Sequence, residues 1–248
     1  KGEKMNLEEF KEIEDIVDTI EKTKSLQPDR LAFYSYAHVP WIKGNGQRGF
    51  KDEDVPKDEK KRMFYEVGKK ILREKGYYEI GMDHFALETD SLYQSFENGS
   101  LHRNFMGYSS SKTQLMIGLG VSSISDSWYS FAQNEKNIED YYQLLEWNKL
   151  PVVKGHFLTN EDLIIRKHIL NLMCQFETSW NNTSAYFEEL PDVIIHLQEM
   201  QDDGLLTVEN KTIRIHEKGK PFIRNICMAF DLRLKRKIPE NQLFSMTI

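Results

Sequence analysis

Phe10, Ile13, Ile16, Val17 and Ile20 recur at the spacing of one helix face. The pattern predicts a helix from about Leu7 to Lys24, with Asn6 and Glu9 as a capping-box pair and Pro28 beyond its end. Residues 31–37, LAFYSYA, form an almost continuous apolar and aromatic run. Such a run suits a strand buried on both faces, and Pro40 would end it. A Gly-rich loop follows over residues 41–55. Pro56 then opens a second helix that carries Met63, Phe64, Val67, Ile71 and Leu72, and Gly76 closes it. Residues 77–82, YYEIGM, read as the next strand. Strand, helix, strand is a βαβ unit with a parallel sheet, and the leading helix implies a further strand upstream of Lys1.

After Asp83 the rhythm shortens. Segments 104–109, 113–121 and 150–158 read as short strands, with one helix over Ile138–Trp147. They fit extra strands added to the edge of an α/β sheet. From Thr159 the class changes again. Thr159 can cap a helix carrying Leu163, Ile164, Ile169, Leu170, Leu172 and Met173. A second helix is predicted from about residue 185 to residue 201, ended by Asp203-Gly204. LLTV and TIRIH, joined by ENK, read as a hairpin, and a last helix as running from 217 to about 236. Helices, hairpin, helix is a winged-helix pattern. The chain therefore divides into residues 1–158, α/β, and residues 159–248, mostly helical and winged-helix-like.

Charge narrows the partners. The 248 residues carry a net charge of −6, which disfavours nucleic acid, since duplex binding rests on phosphate neutralisation. The middle helix of the winged-helix pattern has Glu188, Glu189, Asp192 and Glu199 and no Lys or Arg, which weighs further against DNA. The basic stretch 234–237, LKRK, reads as a solvated helix end. No apolar run reaches the ~18 residues of a membrane span. The charged stretch Lys1–Glu14 has no apolar signal core, so a cytoplasmic protein is expected. Cys174 and Cys227, the two cysteines, sit in apolar helical patterns, and no CxxC or CxxxCxxC spacing occurs. A cysteine-ligated metal or iron–sulfur centre cannot be built from this chain alone.

Three stretches could carry chemistry. In residues 101–108, LHRNFMGY, a lone His102 is a poor metal ligand set. Strand alternation places His102, Asn104 and Met106 on one face and Arg103, Phe105 and Gly107 on the other. Arg103 beside Phe105 could hold a carboxylate on a flat ligand; on the residues alone, a surface Arg over a core Phe is the favoured reading. In residues 81–86, GMDHFA, Asp83 and His84 fall just past a strand end, where parallel α/β sheets keep ligand crevices. They could also simply close a turn. In residues 117–125, IGLGVSSIS, two glycines suggest close approach of a backbone or ligand, without the Lys of a phosphate-binding loop.

YAHVP (36–40), GMDHFA (81–86) and LHRNF (101–105), in this order, resemble the oxygen-independent coproporphyrinogen III oxidases. QR (47–48), GLGVSSIS (118–125), FAQN (131–134), RNICMAFD (224–231) and the terminal FSMTI extend the likeness from about Ile16 to Ile248. These coproporphyrinogen dehydrogenases are radical S-adenosylmethionine (SAM) enzymes of haem biosynthesis. The resemblance implies a partial (β/α) barrel with extra edge strands, followed by a winged-helix-like domain. It implies SAM bound at a [4Fe–4S] cluster, with a second SAM beside it. Matched by position, the SAM contacts are Ala37, Phe105, Met106 and Ile124. Where the family has a polar Gln after the Phe, this chain has Met106, so one hydrogen bond is absent. Arg103, His102 and Arg48 are candidates for the propionates of coproporphyrinogen III. The reaction takes an electron from a donor through the cluster, cleaves SAM, and converts two propionates to vinyls. It requires no general acid–base pair from the protein. The cluster ligands and first barrel strands would lie upstream of Lys1. The chain therefore resembles the C-terminal part of such an enzyme, expected to be inactive without its N-terminal half. A non-catalytic haem- or porphyrin-binding relative and a winged-helix interaction module are the alternatives.

Overall fold

The computed structural model describes residues 7–40, 47–49, 51–56 and 58–236, with side chains from Glu12 onward except at 48, 52 and 58. The chain forms two compact units, Lys1–Glu97 with Asp231–Ile248, and Asn98–Phe230. The boundary anticipated after residue 158 falls within the second. Among the described residues no helix is long and apolar enough to cross a membrane.

In the first unit, α1 (Leu7–Ser25) matches the helical periodicity; Asn6 of the anticipated capping box lies outside the described residues. β1 (Arg30–Ala32), α2 (Asp58–Glu74), β2 (Tyr77–Gly81), β3 (His84–Leu87) and α3 (Ser91–Glu97) follow. Gly76 ends α2 at φ +87°, a conformation that costs glycine little. The sheet order is β1-β3-β2, with β3 antiparallel to both neighbours. This corrects the parallel sheet expected from the βαβ pattern. β1 and β2 do run the same way, but the hairpin partner β3 pairs between them.

The expected strand over 31–37 is also corrected. The ladder stops at Ala32 and one more bond, Phe33 N–H to Asp83 O at 2.8 Å. Beyond it Tyr34 and Tyr36 are exposed and join no sheet. Apolar content alone does not make a strand, because each strand needs a neighbour for its backbone bonds.

Ile20, Leu72, Tyr77 and Phe85 are the buried centre of this unit, with Ile16, Leu31, Phe33, Tyr65, Ile71 and Leu87 against them. The Phe33 ring stacks on Tyr65 at 5.7 Å and meets Phe85 edge-on at 6.4 Å. It lies on the bare face of Gly68, where a Cβ would fall 2.3 Å from the ring. Tyr77 donates to Pro28 O at 2.7 Å, and Tyr65 donates to Glu79 at 2.8 Å. Glu79 also pairs with Lys69.

In the second unit, β4 (His102–Asn104) and β5 (Gly107–Ser109) form a hairpin that interrupts the strand read over residues 104–109. β6 (Leu115–Met116), β7 (Ile124–Ser127), β8 (Ser130–Asn134), α4 (Ile138–Glu146) and β9 (Val152–Phe157) follow, and the four strands pair in sequence order, all antiparallel. Asn137 caps α4 through bonds from the N–H groups of Glu139 and Asp140. α5 (Asn160–Gln175) starts at the Thr159 capping box, closed by Asp162, and ends at Phe176 in the left-handed region.

Next come β10 (Glu177–Ser179), α6 (Leu190–His196), α7 (Gln198–Asp202), β11 (Leu206–Glu209) and β12 (Thr212–Ile215). The last three strands form a sheet in the order β10-β12-β11. Asn210 and Lys211 both take positive φ in the β11–β12 turn, the twist a tight hairpin favours. The two long helices expected in this region are both broken. The first starts only at Leu190, with Pro191 in its first turn, and steps between α6 and α7. The last is a 3-10 turn (Glu217–Phe222), α8 (Ile223–Met228) and α9 (Leu232–Arg236), the last belonging to the first unit. Asp231 restarts it as a cap, accepting from the Leu234 N–H at 2.9 Å.

One ion pair ties α5 to the four-stranded sheet. Arg166 Nη2 donates to both carboxylate oxygens of buried Asp126, at 2.9 and 3.1 Å. Its Nη1 donates to the carbonyls of Ser127 and Trp128. Its guanidinium lies 4.9 Å from the Trp128 ring centre and 5.0 Å from that of Phe131. Along the same helix His168 is buried, bonded to Thr178 Oγ1 at 2.8 Å and Ala185 O at 2.7 Å, and stacked on Phe230. A carbonyl can only accept, so Nε2 carries the proton and Nδ1 accepts from Thr178.

Gly68→Ala is expected to lower the stability of the first unit by about 1–3 kcal/mol in chemical denaturation, because the Phe33 ring is held between two other rings. Burial holds His168 below its ordinary value. The unfolded chain then binds the proton first as pH falls below about 6.5, so stability is present above that pH and lost below it. The denaturation midpoint should be lower at pH 5.5 than at pH 7.5, and His168→Gln should reduce that difference.

Candidate functional site

The stretch LHRNFMGY closes on itself. Asn104 pairs with Gly107, leaving Phe105 and Met106 as a two-residue loop. Asn104 Oδ1 accepts from the Met106 N–H at 2.9 Å, and Gly107 takes φ +141°, which side-chain-bearing residues avoid. Alternation is thus broken at the tip, and both apolar side chains stand in solvent, Phe105 46% and Met106 75% exposed.

Arg103 and His102 face different surroundings. Arg103 pairs with Tyr108 across the hairpin, and its guanidinium lies 4.5 Å from the Tyr108 ring centre. Tyr108 is itself anchored, donating to Met173 O at 2.9 Å. Arg103 Nη1 is buried and makes no hydrogen bond among the described residues. Burial pushes the thiols of Cys174 and Cys227 up to about 12, opposed by the Arg103 charge near both. His102 is buried, and burial first, then the charges of Lys112 and Arg166, hold it below its ordinary value. It offers a neutral imidazole near Asp126.

Ile124 opens β7, opposite Gln133 on β8. Gly118 lies directly on it: a Cβ there would fall 2.7–2.9 Å from the Ile124 backbone. The Gly118 N–H donates to Ser125 Oγ at 3.0 Å. Buried Asn134 donates to Gly118 O at 3.3 Å and to Gly120 O at 3.0 Å. The glycines therefore serve close backbone approach, and Asn134 is the residue that pins their loop. The sequence offered FAQN only as a matching motif, without a role for its Asn.

Ala37 and Arg48 belong to the first unit. The side-chain amide of Gln47 donates to Ala37 O at 3.0 Å and accepts from the Val39 N–H at 2.7 Å. These two bonds flank residue 38 as one residue of a parallel neighbouring strand would. Gln47 thereby fixes the segment that carries Ala37. Arg48 lies in the 3-10 turn Gln47–Gly49, and its side chain lies outside the described residues. Asp83 and His84 close the β2–β3 hairpin, not a parallel-strand end: Asp83 has φ +63° and its carbonyl holds Phe33, while His84 Nδ1 lies 2.8 Å from Met82 O. Among the described residues, no group of three or more His, Cys, Asp or Glu side chains could hold a metal ion.

No protein-family model matches the chain. It is 38% identical over 238 residues to the oxygen-independent coproporphyrinogen III oxidase of Escherichia coli, covering 93% of this chain and 51% of that protein. The enzymes of the same name from Synechocystis and Salmonella typhimurium are 34% and 35% identical, with the same coverage. The chain thus spans about half the length of the curated relatives it matches. The solved structure of the Escherichia coli coproporphyrinogen III oxidase, described as a radical SAM enzyme, superposes with a TM-score of 0.82 at 35% identity, over 90% of this chain and 52% of that one.

Asn134→Ala should free the loop over residues 118–122 while the sheet stays paired. A buried amide spanning two carbonyls contributes about 1–3 kcal/mol, so amide hydrogen exchange there should rise severalfold or more, with exchange in β8 and β9 little changed.

Proposed function

Because this chain is a homologue of the oxygen-independent coproporphyrinogen III oxidases over about half of their length, we propose that it supplies one half of such an enzyme and is inactive without the other. The reaction is oxidative decarboxylation of two propionates of coproporphyrinogen III to vinyls, giving protoporphyrinogen IX. The observation that carries this reading is 38% identity sustained over 93% of the chain.

The iron–sulfur cluster does not fit this chain. A cluster of this kind takes three or more thiolates, and the chain has two cysteines, both buried and with their thiols pushed up to about 12. The half of the relatives that this chain does not match must bring it, together with the contact to the electron donor. For SAM, the second unit offers Phe105 and Met106, both exposed, and Ile124, whose backbone is approached closely by Gly118. In the first unit the matching position is Ala37, in a segment held by Gln47. When bound, SAM supplies the oxidising chemistry; this chain's side chains position it and shield it from water.

For the substrate propionates, Arg103 has a half-buried guanidinium oriented by the Tyr108 ring, and a guanidinium pairs well with a carboxylate. Neutral His102 offers a hydrogen bond and no charge. Arg48 is the third candidate, from the first unit. In this reading the first unit is a piece of the (β/α) barrel, supported by the like direction of β1 and β2 on either side of α2. The region from Thr159 is the winged-helix-like domain, supported by α5, α6, α7 and the β11–β12 wing. Cytoplasmic location goes with the same reading.

Co-expression with the unmatched half of the Escherichia coli relative, followed by anaerobic cluster loading, tests it. The complex should form 5′-deoxyadenosine from SAM and consume coproporphyrinogen III, and the chain alone should do neither. Arg103→Ala should lower kcat/KM for the porphyrinogen by about tenfold or more. A complex with a fully loaded cluster and no SAM cleavage would refute the proposal.

A further inference from the structure

We propose that the helix–strand segment Ile138–Phe157 is a docking surface for the polypeptide corresponding to the half of the relatives that this chain does not match. The proposal rests on the reading above and assigns the place where the two halves meet. Of the twenty-residue stretch, Pro151 alone is buried. Yet the segment is rich in large apolar side chains. Ile138, Tyr142 and Leu145 form a helical stripe on α4 and are exposed, as are Trp147, Leu150 and Phe157; Leu150 and Phe157 are 84% and 85% exposed. No residue of α4 is buried. An amphipathic helix with its apolar stripe in water gains nothing from its own fold, and apolar patches of this kind mark interfaces.

The strand that follows adds a second, independent sign. Among the described residues β9 is an edge strand paired with β8 alone, and all six of its residues are exposed. Both of its faces lack cover, and its outer edge presents backbone N–H and C=O groups. A row of backbone donors and acceptors is satisfied by another strand, which calls for a polypeptide.

Charge and chain length choose among occupants. The polar side of α4 carries Glu139, Asp140, Gln143 and Glu146 and no Lys or Arg. A helix built to lie on an anionic membrane carries basic residues there, so a lipid surface is disfavoured. The relatives contain about as much chain again as this one matches, since 51% of their length is covered. A polypeptide of that length is long enough to cover the segment.

Leu145→Glu combined with Phe157→Glu tests the assignment. Both side chains are exposed, so the fold should persist, checked by circular dichroism. The chain is co-expressed with the tagged, unmatched half of the Escherichia coli relative, and the purified complex is quantified by native mass spectrometry and sedimentation. The unaltered chain should be recovered as a one-to-one complex, and amide exchange over 138–157 should slow relative to the chain alone. The double variant should bind about thirtyfold more weakly or worse, the effect of losing buried anchors. Undiminished binding by the variant overturns the proposal. So does self-association of the chain alone that the variant abolishes, which would make a second copy the occupant, and so does a soluble half that never retains the chain. If the variant still binds and its complex cleaves SAM, the docking surface is wrong and the functional reading stands. If only the unaltered chain binds and its loaded complex fails to cleave SAM, the reverse holds.

Discussion

The Arg166–Asp126 pair is the contact on which the second unit depends. Taking two charges out of water costs several kcal/mol each, and attraction offsets that only when every donor and acceptor is well placed. Here the geometry is bidentate, two loop carbonyls take the remaining fork, and two aromatic rings cover the guanidinium. The pair ties α5 to β7 and to the turn that leads into β8. That tie carries consequences along both elements. β7 begins at Ile124, on which the Gly118 loop rests. The end of α5 provides the Met173 carbonyl that anchors Tyr108, and Tyr108 in turn supports Arg103. His102 feels the same pair, one charge opposing the other.

A second theme is the use of side-chain amides where the backbone has no regular partner. Gln47 stands in for a strand beside residues 37–39, Asn104 closes the hairpin tip, and Asn134 pins the Gly118–Gly120 loop. Each amide has both a donor and an acceptor, so one residue can satisfy irregular backbone without help from water. The effect is to order the backbone at residues 37–39, at the Phe105–Met106 tip and at Gly118–Gly120. Apolar side chains left in water beside such supports are a cost to the isolated chain and an asset to a site or interface completed by something else.

Much of this was legible from residue order. Helices α1, α2, α4 and α5 lie where local signals put them, and α5 starts at its Thr159 cap, because those signals act within a few residues. The motifs around Ala37, Phe105 and Ile124 carry the resemblance to the coproporphyrinogen III oxidases. Other expectations failed for a common reason. LAFYSYA has the composition of a buried strand, but a strand is a relation between two segments, and only Arg30–Ala32 has a neighbour. Asp83 and His84 seemed to sit at a parallel strand end until β3 turned back between β1 and β2. Gln47 and Asn134 were invisible as supports, since their partners are backbone groups eight or more residues away.

The sequence by itself determined local choices: where α1 and α5 lie, which residues carry the family likeness, and that two cysteines cannot hold a cluster. These follow from propensities and side-chain chemistry that each residue brings with it. The tertiary structure alone decided the pairing order of the strands, the hairpin that lifts Phe105 and Met106 out together, the different surroundings of His102 and Arg103, and the exposure of residues 138–157. Burial and pairing depend on what packs against a segment, and that is a property of the folded chain, not of any stretch within it.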